Sequence, residues 1–75
     1  MGDMRREIEV FFHHDADANA AAIIFDLATR GRDLRTYPVS DDHGTVLATI
    51  TFGATGKLVE IELLDASNQI PDNLR

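Results

Sequence analysis

Apolar and polar residues alternate most regularly in two stretches of the C-terminal half of the chain. Over residues 45–52, Val46, Ala48, Ile50 and Phe52 share one face, and Thr45, Leu47, Thr49 and Thr51 share the other. Over residues 58–64, Val59, Ile61 and Leu63 oppose Glu60 and Glu62. A period of two is that of a half-buried strand. The intervening Gly53-Ala54-Thr55-Gly56-Lys57 supplies two glycines for a tight connection, so residues 45–64 are predicted to form a hairpin.

The same period marks residues 7–12, where Ile8, Val10 and Phe12 face one way and Glu7, Glu9 and Phe11 the other. Residues 13–19 hold Asp15, Asp17 and Asn19, whose short polar side chains bond their own backbone, and predict a connection. Residues 34–40 predict a short, irregular strand. Pro38 cannot donate a ladder hydrogen bond, which assigns that strand to an edge or a bulge. Asp41-Asp42-His43-Gly44 has the composition of a turn. Beyond Leu64 the alternation stops. Asp65-Ala66-Ser67-Asn68 can cap a short helical turn limited by Pro71, with the tail packing through Ile70 and Leu74.

One segment reads two ways. Asp17, the alanines at 18 and 20–22, and Gly31 beyond them have the form of an N-capped helix over residues 17–30 closed by a glycine. Ile23, Ile24 and Phe25 favour a strand over 20–27, with Ala21, Ile23 and Phe25 inward. The residues alone leave both open.

Five apolar residues, Phe11, Ile24, Leu47, Leu58 and Leu64, fall out of phase with the inward set of their own strands. In a single-layer sheet that outer face is wet. Contiguous apolar area there marks an association surface, or is covered by the C-terminal turn through Ile70 and Leu74. The expectation is a homodimer packing sheet on sheet, with the tail over part of the face. Strand addition at an open edge is a second route to a partner.

Length sharpens that expectation. A 75-residue chain has room for one domain spanning residues 1–75, and it buries only about 60% of the surface its unfolded form exposes. Without cysteine there is no disulfide framework or thiolate metal site, which leaves packing or association as the source of stability. Missing cysteines, and an N-terminus that runs into Glu7 and Glu9 rather than an apolar signal region, point to the cytoplasm. The stretch 18–25 is too short to span a membrane. Seven Lys plus Arg against thirteen Asp plus Glu give a formal charge of −6, which repels a phosphate backbone and disfavours nucleic acid as a partner. Arg30, Arg32 and Arg35 cluster, but beside Asp26 and Asp33 and without interleaved aromatic residues, as in a solvated loop.

The run Gly56-Lys57-Leu58-Val59-Glu60-Ile61-Glu62-Leu63-Leu64-Asp65-Ala66-Ser67 resembles the closing signature of the bacterial family catalogued as domain of unknown function 2283. There, a glycine turn leads into an alternating strand ending in Asp-Ala-Ser. His14-Asp15-Ala16-Asp17-Ala18-Asn19-Ala20 is similar to the family's Asp-rich turn between its first two strands, with Asn19 where an aspartate is usual. Ala21 and Ala22, Ile24 and Gly53 depart from the family pattern. The resemblance implies a small antiparallel meander with a short C-terminal helical turn and tips residues 20–27 toward strand. It supplies no activity or catalytic residues. The fold class is therefore mainly β, α+β at most, with the helix at 17–30 as the alternative.

Candidate chemistry is sparse. His13-His14-Asp15-Ala16-Asp17, joined by Asp41-Asp42-His43, offers imidazole and carboxylate to a divalent metal. If the first strand continues past Phe12, His13 and His14 point to opposite faces, so His14, Asp15 and His43 are the candidate ligands. The competing reading is two solvated polar turns. A calcium loop lacks its glycine and distant glutamate, and Ser40 and Ser67 lie in no nucleophile context. Gly53 and Gly56 join strands rather than precede a helix, and Glu60 and Glu62 have the spacing of any solvent face. The expectation is a non-enzymatic, self-associating β domain with no catalytic residues and no cofactor. The alternatives are a metal-binding module using residues 13–17 and a regulatory or antitoxin-like accessory to another protein.

Overall fold

The computed structural model describes residues 2–29 and 33–74. Five strands form one antiparallel sheet: β1 Phe11–Asp15, β2 Ala20–Ile24, β3 Arg35–Ser40, β4 Val46–Phe52 and β5 Leu58–Leu63. Their order across the sheet is β1-β2-β5-β4-β3. A hairpin (β1–β2) and a three-strand meander (β3–β5) are thus joined through β2 and β5, and the β2–β3 connection carries the chain to the opposite edge. A helical turn, α1 Ala66–Gln69, follows β5, and 3₁₀ turns lie at Leu27–Thr29 and Asp72–Leu74. The mainly β reading holds, and residues 20–24 are strand rather than part of a helix over 17–30. Ala21, Ala22 and Ile24 of β2 are buried, between β1 on one side and β5 on the other. Small side chains suit a strand flanked on both sides, and these tertiary contacts outweigh the helix propensity of an alanine run.

The first strand lies further along than its alternation predicts. It begins at Phe11 rather than residue 7 and runs to Asp15, because its partner β2 has five residues and pairs only Phe11 through Asp15. After Ile24 the chain leaves the ladder: the N–H groups of Phe25 and Asp26 both donate to the Val59 carbonyl, at 2.7 and 3.3 Å. Residues 7–10 therefore keep a strand pattern without a strand partner. The β1–β2 turn narrows to residues 16–19, where Asp15 Oδ1 accepts from the N–H groups of Asp17 and Ala18 at 3.1 and 3.2 Å.

Pro38 sits in β3, an edge strand with a register shift at Val39/Ser40, as its chemistry requires. The β3–β4 turn closes through Asp41 Oδ1, which accepts from the His43 and Thr45 N–H groups at 2.8 and 3.0 Å. The β4–β5 turn places Gly56 at φ 84°, where a side chain would be strained. Arg30 and Arg32 of the arginine cluster, and Gly31, lie outside the described residues; Arg35 opens β3.

Candidate functional site

Register defines the two faces. Phe12 pairs with Ile23, Ile23 with Ile61, Ile61 with Ile50 and Ile50 with Tyr37, so one uncharged row crosses all five strands. The next row on that face is His14, Ala21, Leu63, Ala48 and Val39. These are the inward-facing positions that the alternation identifies. The opposite face carries His13, Ala22, Glu62, Thr49 and Pro38, then Phe11, Ile24, Glu60, Thr51 and Thr36.

Only one corner of the apolar face is covered. Ala66 and Ile70, 0% and 4% exposed, form a cluster with Ala21, and Leu63 packs against it. This corrects two expectations. The C-terminal turn lies over the inward set, not over the out-of-phase residues, and Leu74 is 59% exposed and takes no part in the core. The out-of-phase residues instead form local pairs: Phe11 opposite Ile24, and Leu47 accepting a backbone hydrogen bond from Leu64 at 3.1 Å. Away from α1, Phe12 and Tyr37 at the ends of the long row are 39% and 52% exposed, and Val39 is 39% exposed. The Tyr37 ring meets Phe52 edge-on at 6.1 Å. The total accessible surface, 6111 Å², exceeds the about 4,600 Å² expected of a compact monomer of this mass. The radius of gyration, 13.8 Å, exceeds the about 11 Å expected of 75 residues. Residues 2–10, which are exposed throughout, contribute to that excess.

The corner is held by Asn19, which adopts the left-handed conformation at φ 53°. Its Nδ2 donates to Asp65 Oδ1 at 2.9 Å, its Oδ1 accepts from the Ser67 N–H at 2.8 Å, and its carbonyl accepts from the Ala66 N–H at 3.0 Å. The first N–H groups of α1 are thus satisfied from the β1–β2 turn, across 48 residues of chain. Asp65, the expected cap, makes no side-chain capping bond. It receives the side-chain amides of Asn68 and Asn19, which hold its carboxyl below the usual aspartate value against a small opposing effect of burial. Gln69 completes the tie, accepting from the Asp65 N–H and donating to the Leu47 carbonyl, at 2.9 and 2.8 Å. Nothing in the sequence near α1 signals this cap; the one local hint is an asparagine, a residue tolerant of the left-handed region, at the end of an Asp-rich turn.

The three candidate metal ligands do not meet. His14 lies on the apolar face of β1, Asp15 on the other, and His43 in the turn beside β3 at the far edge. Four strand spacings separate those edges, about 19 Å along the sheet. Among the described residues no three His, Cys, Asp or Glu side chains are grouped to hold a metal ion. Asp15 and Asp41 use a carboxylate oxygen to close their turns, the local role typical of such residues. Among the described residues no helix is long and apolar enough to cross a membrane. Compared with known proteins, the chain matches no family model, no curated protein and no solved structure.

Proposed function

We propose that this chain is a non-enzymatic β domain that self-associates, packing the row Phe12–Ile23–Ile61–Ile50–Tyr37 against the same row of a second copy. The observation that carries this reading is an uncharged row, five strands wide, with a covering element over one corner alone. Packing face to face buries that row and leaves Glu60 and Glu62, on the opposite side, in water. A standard interface takes about 800 Å² from each partner. The two segments that resemble domain of unknown function 2283 meet at the Asn19–Asp65–Ser67 junction, and membership of that family is part of the same proposal, resting on the resemblance alone. A cytoplasmic setting suits the cysteine-free sequence and is part of the same proposal.

Native mass spectrometry of untagged protein purified without chelators, over a concentration series, tests the reading. An assembly whose subunit number Tyr37→Glu halves is the expected result. A wild-type chain that stays monomeric, or an assembly whose subunit number is indifferent to Tyr37→Glu, overturns it. An added mass of one divalent ion per chain redirects attention to His14 and Asp15. Association only with another protein favours an accessory role.

A further inference from the structure

The two edges of the sheet differ in their defences against strand addition. β3 opens with Arg35, contains Pro38 and has a register shift at Val39/Ser40, all devices that blunt an edge. β1 has no proline, lysine or arginine, and its register with β2 is unbroken from Phe11 to Asp15. Ahead of it, residues 7–10 continue the strand alternation, yet Ile8 is 63% exposed and no strand among the described residues pairs with them. The outer side of β1 and its N-terminal extension together form a template about ten residues long with nothing beside it among the described residues.

We infer that the occupant of this edge is β1 of a second copy, added antiparallel about a two-fold axis at Val10. Matching apolar face to apolar face requires that paired residue numbers share parity, which leaves few registers. Centring on Phe11 sets Asp15 against Glu7 of the second copy, and centring on Phe12 sets it against Glu9; both oppose like charges, and centring on His13 sets Asp15 against Phe11, which gains no charge pair. Centring on Val10 sets Asp15 against Arg5 of the second copy and His13 against Glu7, with Phe12 against Ile8 and Val10 against itself. That register gains two pairs of complementary charge and brings no two carboxylates opposite each other, at the cost of setting Phe11 against Glu9 and His14 against Arg6. Arg5 must leave its ion pair with Asp3, 3.3 Å long between highly exposed side chains and worth little in water, and Asp15 must meet it while its Oδ1 closes the β1–β2 turn. The product is a continuous ten-stranded sheet whose apolar rows lie on one side, so this contact coexists with the face-to-face packing and does not depend on it.

The chain has no cysteine, which makes directed crosslinking clean. In the Val10-centred register the two Val10 Cβ atoms lie about 4.5–5.5 Å apart, within reach of a disulfide after small adjustment. Val10→Cys under mild oxidation is expected to form covalent dimers at least tenfold more efficiently than Thr55→Cys, placed in the exposed β4–β5 turn. Crosslinking of Val10→Cys no better than that control overturns the inference. The same measurement in a Tyr37→Glu background separates the two contacts. Crosslinking that persists there establishes the edge contact whatever happens to the face, and crosslinking that vanishes overturns its independence. Because Val10 precedes β1 and has no strand partner, neither cysteine substitution disturbs the sheet.

Discussion

One apolar face has two ends with different fates. At the end formed by Ala21 and Leu63, α1 docks and excludes water; one row away, Ile23, Ile61 and Ile50 belong to the same strands and the same alternation and stay half-buried, while Phe12 and Tyr37 at the row's ends are exposed. The residue types are alike, so the difference lies in reach. A four-residue helical turn is about 6 Å long, while five strands span about 19 Å. Alternation fixes which residues share a face, although Ala22, Ile24 and Thr51 on the opposite face are buried too; the length of the covering element fixes how much of the apolar face one chain can shield. The rest is available to another molecule.

If the two ends differ in this way, truncating a side chain at each should have unequal effects. Ile70→Ala, at 4% exposure at the C-terminal end of α1, is expected to cost about 2–4 kcal/mol. That is a large share of the few kcal/mol that hold a domain of this size together. Tyr37→Ala, on the open end, should change monomer stability by about 1 kcal/mol or less. Urea unfolding followed by circular dichroism, at a concentration low enough to keep the chain monomeric, measures both. Equal losses break the comparison, because they show that the open row is already packed within one chain. Tyr37→Glu sharpens it from the other side. A carboxylate in the face contact should weaken association by about 2 kcal/mol, about thirtyfold, read from sedimentation equilibrium.

Most of the open end is legible in the sequence, and the covered end is much less so. Period-two alternation identifies Phe12, Ile23, Ile50 and Ile61 as one apolar set, and Pro38 identifies an edge, because both follow from the geometry of a single strand. Strand order is a different matter. That β2 pairs with β5, and that β1 ends where β2 ends, depend on contacts between distant segments, so the first strand is displaced from residues 7–12 to Phe11–Asp15. The α1 cap depends on such a contact as well. Local reasoning assigns it to Asp65, and the structure supplies it from Asn19. The metal candidates do not converge for the same reason: strand order puts His43 at the edge opposite β1, and the pleat puts His14 and Asp15 on opposite faces of it.

Asn19 therefore gives a smaller, sharper test of the covered end. Asn19→Gly keeps the left-handed backbone and the carbonyl bond from Ala66, and removes the two side-chain bonds to Asp65 and Ser67. A loss of about 1 kcal/mol is expected. Asn19→Ala should cost about 1 kcal/mol more, because its Cβ disfavours that backbone conformation. An alanine variant as stable as the glycine one shows that the turn relaxes out of the left-handed region.

The smallest effect is one of pH. Asp65 titrates below the usual aspartate value in the folded chain, chiefly because Asn68 and then Asn19 donate to its carboxylate. A folded-state value below the unfolded one means that the unfolded chain binds the proton more readily in acid. The contribution of Asp65 is therefore fully present above about pH 4, the unfolded aspartate range, and is lost as the pH falls through the folded value. Following the Asp65 carboxyl carbon by NMR should give a midpoint below that of an ordinary aspartate. Asn68→Ala should move that midpoint upward further than Asn19→Gly does, since the Asn68 bond is the stronger influence. An ordinary midpoint in the wild-type chain breaks the account of the junction, since it means that neither amide stays on the carboxylate in solution. A low midpoint that responds to Asn68 but not to Asn19 leaves α1 internally ordered and shows that it is not fastened to the β1–β2 turn.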